Sequence, residues 1–406
     1  METPNTHHEV LIVGGGSAGI SVASKLLQAD NPPSVTVLDP ADKHYYQPLW
    51  TLVGGGVVPK EESERTEASV IPTGATWIQD AATGFDPENN TVTTEKNGAL
   101  TYDYLVVCPG IQINWDSIEG LREGLGTNGI CCNYSYEHCD YTWETAQRIA
   151  EKPGPVTALF TQPSSAVKCG GAPQKVMYLT SDHLRRSGKL DQADVEFFSP
   201  GQVIFGVKEF AKTLHEVLDR YGIETNWGHE LVAIRPDTQE AVFQVSGGDG
   251  APSEKVVKFD MLHAVPHMAS PDFLAKSPLA NEAGWCDVDK HTLQHVRYAN
   301  VFGLGDAGST PNAKTGAAIR KQYPVVAENL LAVRAGRTDL SDDYHGYASC
   351  PLVTGYGRLI LAEFDYDGNV DSSFPFDTSK ERYSMYVLKK DLLPNLYWHG
   401  MLQGRA

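Results

Sequence analysis

The chain has no long apolar run and no excess of basic residues. In 406 residues nothing approaches the roughly 18 consecutive apolar residues that cross a bilayer, so any membrane contact is expected to be peripheral. Lysines and arginines number 33 against 51 aspartates and glutamates, which gives a formal net charge of -18. Because nucleic-acid binding requires a basic face, this balance argues against a nucleic-acid partner. The first residues show no basic region followed by an apolar one, so no signal peptide is expected.

Cysteine is scarce and follows no familiar spacing. The 7 cysteines form neither a Cys-x-x-Cys pair nor the spacing of a zinc site, so we predict no bound metal. Such usage is typical of a reducing compartment, where disulfides are rare. Hydrophobic residues make up 41% and charged residues 21%, as in ordinary globular proteins, and the length suggests two or three domains.

Near its start the chain has a glycine-rich turn between an apolar strand and a helix. Gly14, Gly16 and Gly19 occupy the three glycine positions of a G-x-G-x-x-G dinucleotide-binding turn. The first glycine makes the turn, the second admits a pyrophosphate, and the third lets the helix pack closely on the strand. Ser17 and Ala18 complete the turn at the helix N-terminus, where unpaired N–H groups bind phosphate.

Further strands extend this first unit. A strand ending in Asp39 lies about 20 residues beyond the turn, where a carboxylate accepts hydrogen bonds from ribose hydroxyls. Another buried strand closes with Pro109 and Gly110, which indicates the end of a first nucleotide-binding segment. Near residue 300 a strand leads into Asp306, and we expect it to return to the first domain and to place Asp306 on the cofactor.

A second alternation of strands and helices follows a proline-glycine break at residues 153–155. Strands are predicted at 156–160 and 193–198, and a helix at 208–221. The fold class is therefore α/β, with two Rossmann-like dinucleotide-binding domains and a C-terminal element. The predicted limits are 1–113 and 291–340 for the two parts of the first domain, 150–290 for the second domain, and 341–406 for the C-terminal region.

The second domain lacks a glycine fingerprint of its own. Its first strand, residues 156–160, runs into residues 161–169 without a G-x-G-x-x-G pattern. A second pyrophosphate would lack its backbone cradle there, so NADH is not expected to be the electron donor.

The C-terminal region differs in composition from the rest of the chain. Residues 383–402 interleave large apolar and aromatic side chains with lysines, which suits a membrane interface with anionic headgroups. Pro394 is predicted to interrupt this segment and to leave two short amphipathic pieces. A terminal element docked on the protein core explains the same pattern, and the sequence does not decide between the two interpretations.

With these residues in view, the chain resembles the sulfide:quinone oxidoreductase family, most closely the type that includes the mitochondrial enzyme, along nearly its whole length. The motifs that carry the resemblance are residues 44–54, 168–175, 314–318, 349–354 and 396–401. The resemblance implies a flavoprotein with two dinucleotide-binding domains and FAD as its cofactor. It also implies that hydrogen sulfide is oxidised, that sulfane sulfur passes to a small acceptor, and that electrons pass to a membrane quinone.

The resemblance assigns the redox cysteines. Cys169 and Cys350 match the family's pair, although they lie so far apart in the sequence that only the fold can unite them. The implied reaction begins when hydrosulfide attacks a sulfur bridging the two cysteines, which leaves a persulfide on Cys350 and a nucleophilic sulfur on Cys169. Electrons then pass to FAD, and a quinone reoxidises it from the opposite side. Lys168 before Cys169, and a predicted helix after it, favour the thiolate.

Other matched residues carry less specific implications. Gln47 and Pro48 match a segment at the flavin edge, although packing explains them as well. Lys314 and Thr315 match a segment beside the flavin, where Lys314 either stabilises negative charge on the reduced ring or simply starts a helix. Residues 265–268 match a family stretch near the flavin that usually has two prolines, so His267 is a departure, and we expect a tolerated substitution rather than a proton relay.

Three further cysteines, Cys131, Cys132 and Cys139, lie where some relatives of another type attach FAD or carry an extra cysteine. We expect all three to be structural, because most cysteines outside a reactive environment are inert buried side chains. Cys131 is the one candidate for a covalent flavin link.

The implied partners are hydrogen sulfide, a ubiquinone-type quinone, a small sulfur acceptor (sulfite, glutathione or sulfide) and a membrane surface that contacts the C-terminal region. A bacterial cytoplasmic membrane is favoured, or the mitochondrial inner membrane if a precursor is processed. Two other functions stay open: a single-chain NADH:quinone oxidoreductase of similar architecture, and a flavin-bound redox sensor or electron-transfer protein. The missing second fingerprint and the cysteine pair argue against the NADH-dependent reductase.

Overall fold

The computed structural model describes residues 6–246 and 253–406 and arranges them around two largely parallel sheets. At the centre of the first sheet, His7–Val13 pairs in parallel with Ala99–Val107. Val301–Gly303 pairs with the end of Ala99–Val107, so the chain returns to the first sheet as the sequence predicts. The remaining strands of this sheet are Val35–Leu38, Ala75–Ile78, Ala82–Asp86 and Thr91–Thr94.

The second sheet is parallel throughout. Its strands lie in the order Ile130–Cys131, Met261–His263, Val156–Thr161, Ala193–Ser199 and Glu224–Trp227. An antiparallel sheet of His229–Arg235, Glu240–Val245 and Ser253–Lys258 accompanies it. Together the two parallel sheets give the α/β fold with two Rossmann-like units that the sequence predicts. The domain limits at residues 113, 150, 290 and 340 stay a prediction.

Helices cover these sheets because their apolar faces pack on the strands. The longest are Ser17–Leu26, Cys139–Glu151, Ala172–Arg186, Lys208–Tyr221 and Gly316–Arg334. Short α-helical turns lie at Trp50–Val53, Glu67–Val70, Leu121–Gly124 and Asp272–Ala275. The shorter strand pairs are Lys43–Tyr45 with Glu64–Thr66, Gln112–Ile113 with Met268–Ala269, and Ala348–Gly355 with Arg358–Phe364.

The hairpin Ala348–Gly355 and Arg358–Phe364 brings the C-terminal region onto the second domain. Leu352 and Ile360 are fully buried and join the hydrophobic core that helix Ala172–Arg186 covers. This packing carries Cys350, which lies on the first strand of the hairpin, to the start of that helix.

The C-terminal segment is helical from residue 383 to residue 399. It consists of an α-helical turn Tyr383–Val387, a π-helical turn Leu388–Leu392 and the α-helix Leu393–His399. The prediction that Pro394 divides the segment was therefore wrong. Proline lacks the N–H of a regular helix and its ring collides with the carbonyl four residues earlier. The wider π turn relieves that collision, and Pro394 stands in the first turn of the last α-helix, where proline is tolerated.

The turn Met401–Gln403 that follows this segment docks on the first helix, Ser17–Leu26. Ser24 Oγ donates a hydrogen bond to the carbonyl of Leu402 at 2.6 Å, and Met401 and Leu402 are buried. On the outer face the side chains of Leu392 and Leu396 are exposed. Across residues 6–246 and 253–406 no helix has both the length and the apolarity to cross a bilayer.

Replacing Leu402 tests how firmly the segment is docked. Leu402 is 1% exposed, so Leu402→Ala should lower the free energy of unfolding by about 2–5 kcal/mol through lost burial and a cavity. Leu392 is 56% exposed, so Leu392→Ala should change it by less than about 0.5 kcal/mol. Chemical denaturation of both variants measures the difference, and equal effects would contradict the docking.

Candidate active site

The glycine turn of the first domain is built for a phosphate group. Gly14 has a φ of +111°, and a Cβ on Gly14 would collide with the carbonyl of Cys108. A Cβ on Gly19 would collide with the carbonyl of Gly14, whereas a Cβ on Gly16 would meet nothing within 4 Å. In the described chain no side chain caps the N-terminus of helix Ser17–Leu26, so its N–H groups face the cleft. The turn therefore fits a dinucleotide pyrophosphate.

A cleft of about 300 Å³ opens above this turn and unites the residues singled out in the sequence. Gly19 and Cys350 are exceptions: Gly19 lies beneath the cleft, where helix and strand pack, and Cys350 lies behind Cys169. Asp39 Oδ2 accepts a hydrogen bond from the N–H of Gly15 at 2.6 Å. The residues predicted from sequence that line the cleft are Gly14, Gly16, Ser17, Ala18, Asp39, Gln47, Pro48, Pro109, Gly110, Cys169, Asp306, Lys314 and Thr315.

At one end of the cleft Lys314 is held by the backbone. Its ammonium donates to the carbonyls of Asp306 at 2.7 Å and Gly308 at 3.1 Å and lies 3.8 Å from the centre of the Trp285 ring. Burial lowers the pKa of Lys314 to about 8 and raises the pKa of Asp306. Thr315 caps helix Gly316–Arg334, so Lys314 stands just before a helix, while its role beside the flavin stays a prediction.

Two cysteines meet beside the cleft. Cys169 has a left-handed φ of 52°, which is uncommon outside glycine, and lies directly before helix Ala172–Arg186. Cys350 approaches from strand Ala348–Gly355, and a Cβ on Gly171 would collide with its sulfur. The two thiols are hydrogen-bonded to each other, and the N–H of Gly171 donates to Cys350. The fold thus joins the two cysteines of the predicted redox pair as free thiols.

Lys175 faces this pair from the first turn of the same helix. Its Nζ lies 3.1 Å from the sulfur of Cys169, and the residue is 2% exposed. The hydrogen bond from Cys350 and the charge of Lys175 hold the pKa of Cys169 well below its ordinary value, although burial opposes them. The same hydrogen bond and burial raise the pKa of Cys350 well above its ordinary value. Of the two thiols Cys169 is therefore the more acidic.

Two further lysines lie near the site, Lys389 buried and Lys168 partly exposed. Lys389, from the C-terminal π turn, donates to the carbonyl of Pro48 at 2.8 Å, and burial together with the charge of Lys175 lowers its pKa to about 7. Burial also lowers the pKa of Lys168 to about 8, and its ammonium lies 5.6 Å from the centre of the Trp50 ring. Both amines can exchange a proton near neutral pH.

A second cavity of about 250 Å³ adjoins the cleft on the side of the C-terminal segment. Tyr46, Pro48, Thr315 and Tyr397 line both cavities, as do Cys169 and Lys175. The lining of this cavity is mostly apolar and includes Phe374, Leu388, Leu393, Leu396 and Met401. Because Leu396 is also exposed, this cavity reaches the protein surface where the C-terminal segment presents apolar side chains.

The remaining candidates lie away from both cavities. Cys131, Cys132 and Cys139 are buried, and burial raises the pKa of each to about 12. None of the three lines the cleft, which agrees with a structural role. The ring of His267 lies 3.3 Å from a carboxylate oxygen of Glu230, outside the cleft lining.

Sequence reasoning missed Lys175, Lys389 and Tyr397 as site residues, although all three shape the inner end of the cleft. Lysine is almost never fully buried unless it is paired, so a lysine in a sequence is read as a surface residue. The only signal was that Lys175 follows Cys169 within one matched motif.

Comparison with known proteins identifies the class. Residues 8–320 match the family model described as pyridine nucleotide-disulphide oxidoreductase, so the chain belongs to that family. The X-ray structure of the sulfide:quinone oxidoreductase from the hyperthermophilic bacterium Aquifex aeolicus has the same fold. The TM-score is 0.79 at 18% identity, and the match covers 98% of this chain and 92% of that one.

Within that class the relatives are more specific. The chain is 47% identical over 399 residues to the mitochondrial sulfide:quinone oxidoreductase of Dictyostelium discoideum, with 98% of this chain and 86% of the relative covered. It is 42% identical to the mitochondrial sulfide:quinone oxidoreductase of Mus musculus, with 99% of this chain and 88% of the relative covered. The chain therefore belongs to the sulfide:quinone oxidoreductase family and is a flavoprotein oxidoreductase.

Removing the charge of Lys175 should make Cys169 a weaker acid. In Lys175→Met the pKa of Cys169 rises, so the pH at which iodoacetamide reacts at half its maximal rate moves upward. Each unit of that shift lowers the alkylation rate about tenfold on the acid side. Peptide mass spectrometry of the alkylated, reduced protein measures it site by site.

Lys168→Met is the matched control, because it removes a neighbouring ammonium that does not contact the sulfur of Cys169. Its effect on the alkylation of Cys169 should be smaller. An equal effect of both variants would mean that general positive charge, and not the contact at 3.1 Å, sets the acidity of Cys169.

Proposed function

We propose that this protein oxidises hydrogen sulfide through Cys169 and Cys350, with FAD in the cleft, and passes electrons to a ubiquinone-type membrane quinone. The observation that carries the proposal is the acidic Cys169 thiol, which borders the dinucleotide cleft and is paired with Cys350 and Lys175. The sulfane sulfur leaves to a small acceptor such as sulfite, glutathione or sulfide.

The chain's own residues do most of the sulfur chemistry in this proposal. Hydrosulfide attacks a sulfur that bridges the cysteines, and Lys175 stabilises the Cys169 thiolate released by that attack. Cys350 retains the sulfane sulfur as a persulfide until the acceptor takes it. The N–H of Gly171, at the start of helix Ala172–Arg186, supports negative charge on the Cys350 side.

The cleft residues hold the cofactor. The turn of Gly14, Gly16 and Ser17 receives the pyrophosphate, and Asp39 lies where it accepts hydrogen bonds from a ribose. Gln47, Pro48, Lys314 and Thr315 border the flavin end, together with Pro109, Gly110 and Asp306. FAD, when bound there, takes two electrons from the sulfur and gives them to the quinone.

The start of helix Ala172–Arg186 argues against a nicotinamide donor. In a nicotinamide-binding domain the helix after the first strand receives a second pyrophosphate. Here Gly171 and the first helical turn are packed against Cys350 and Lys175 instead. An NADH:quinone reductase is thereby disfavoured on the geometry as well as on the missing glycines.

The apolar second cavity is the proposed site of the quinone. Its wall of leucines and Met401 suits a lipophilic ring, and the buried amine of Lys389 at its inner end provides a proton source for quinone reduction. Because Leu392 and Leu396 are exposed beside it, we place the membrane surface there. The bacterial cytoplasmic membrane, or the mitochondrial inner membrane after processing, stays a prediction.

Anaerobic stopped-flow absorbance tests the reaction. Sulfide alone should bleach the flavin band of the purified holoprotein, and decylubiquinone should restore it. Cys169→Ala and Cys350→Ala should each slow bleaching at least about 100-fold, because both sulfurs take part in the transfer. Cys139→Ala is the control and should react as the unaltered protein does, since Cys139 lies outside the cleft. Bleaching by NADH with indifference to sulfide would refute the proposal.

Vesicle cosedimentation tests the membrane surface. With vesicles of phosphatidylcholine and phosphatidylglycerol, Leu392→Glu should weaken binding about tenfold or more, because a carboxylate replaces an apolar side chain at the interface. Val203 is equally exposed but lies in the second domain, so Val203→Glu should bind as the unaltered protein does. Equal loss in both variants would point to overall charge rather than to this surface.

A further inference from the structure

A buried chain of hydrogen bonds runs from Glu67 through His44 and Tyr397 to Ser17. His44 Nδ1 lies 3.2 Å from Glu67 Oε2, and His44 Nε2 lies 2.5 Å from the hydroxyl of Tyr397. The same hydroxyl lies 2.8 Å from Ser17 Oγ. Glu67, His44 and Tyr397 are all buried. The sulfur and quinone chemistry proposed above uses none of these three contacts.

Ser17 and Tyr397, which are neighbours in this chain of hydrogen bonds, belong to different parts of the protein. Ser17 begins the first helix and lines the dinucleotide cleft. Tyr397 comes from the C-terminal helix Leu393–His399, and its ring packs on Tyr46 with 4.5 Å between ring centres. The C-terminal segment therefore reaches the phosphate-binding turn directly, next to the exposed Leu396.

The chemistry of a pyrophosphate fixes the direction of the hydrogen bonds. Phosphate oxygens accept hydrogen bonds and donate none, so Ser17 can bind one only by donating its O–H. The oxygen of Ser17 must then accept from the O–H of Tyr397, and the oxygen of Tyr397 must accept from His44 Nε2–H. In the opposite direction Ser17 would present lone pairs to an anion.

Glu67 supports that direction. A protonated carboxyl group on Glu67 donates to His44 Nδ1 and leaves Nε2–H to donate to Tyr397, whereas a carboxylate that accepts from Nδ1–H of a neutral imidazole leaves Nε2 as an acceptor. Burial raises the pKa of Glu67, and its other oxygen, Oε1, has no hydrogen-bond partner among the described residues. Burial thus favours the protonated form of Glu67, whose O–H donates a hydrogen bond to His44 Nδ1.

We infer that Tyr397 is a positioning residue for the dinucleotide: its hydroxyl, oriented by His44, turns the O–H of Ser17 toward the pyrophosphate. The C-terminal helix therefore contributes to cofactor binding in addition to its other contacts. This inference rests on the proposed FAD cofactor.

Titration of the full-length apoprotein with FAD, followed by flavin fluorescence, tests it. Tyr397→Phe should raise the dissociation constant of FAD about 3- to 10-fold, which is the value of one hydrogen bond. Tyr386 is also a buried tyrosine of the C-terminal segment but does not line the cleft, so Tyr386→Phe should bind FAD normally. Thermal unfolding of each apoprotein checks that the variants are folded.

Two further comparisons separate positioning from general packing. Ser17→Ala and Tyr397→Phe should lose affinity to a similar extent, and the double variant should lose no more than either, because both break one chain of hydrogen bonds. His44→Gln retains an N–H for Tyr397 and should keep most of the affinity, whereas His44→Leu should lose it.

The outcomes distinguish the inference from the function on which it rests. Normal FAD affinity in Tyr397→Phe, or fully additive losses in the double variant, would overturn the inference while the FAD cofactor stands. Failure of the unaltered apoprotein to bind FAD would overturn the cofactor and the inference with it.

Discussion

The burial of charge at one point is the constraint on which the structure depends. The sulfur of Cys169 and the ammonium of Lys175 lie 3.1 Å apart; Lys175 is buried, and its charge would be costly to bury without a partner. The attraction between the two groups offsets the loss of hydration that burial causes. The hairpin that carries Cys350, the start of helix Ala172–Arg186 and the C-terminal π turn each cover one side of the pair. Three separate parts of the chain therefore pack around the pair of Cys169 and Lys175.

Sequence reasoning succeeded where the function of a residue is local. The glycine turn could be predicted because the spacing of Gly14, Gly16 and Gly19 is itself typical of a dinucleotide-binding turn. The helix 208–221 was predicted correctly to the residue, because its apolar period and the glycine that follows it are both visible in the sequence. The return of Val301–Gly303 to the first sheet followed from the same strand-and-turn pattern.

It failed where distant parts of the chain decide the outcome. No sequence pattern near Cys350 indicates that Cys169 is its neighbour in the fold. The pair was expected only from the resemblance to a family. In the sequence Lys389 and Tyr397 look like surface residues of an amphipathic tail. Both are buried because they pack on the first domain, where Lys389 contacts Pro48 and Tyr397 contacts Ser17. The prediction for Pro394 used the general rule that proline interrupts a helix. It did not foresee the π turn before Pro394, which relieves the collision of the proline ring with the backbone.

The meeting of Cys169 and Cys350 also bears on how the chain resists unfolding. In the structure both are free thiols, and the hairpin is held to the second domain by noncovalent packing of Leu352 and Ile360. A sulfur bridge between residues 169 and 350 would close a very long loop, and the loss of chain entropy from the unfolded state is worth up to about 5 kcal/mol. The bridged protein should therefore melt at a higher temperature than the thiol form. Each attack by hydrosulfide would then open that loop, so the oxidation state of the active site and the heat resistance of the whole chain would change together.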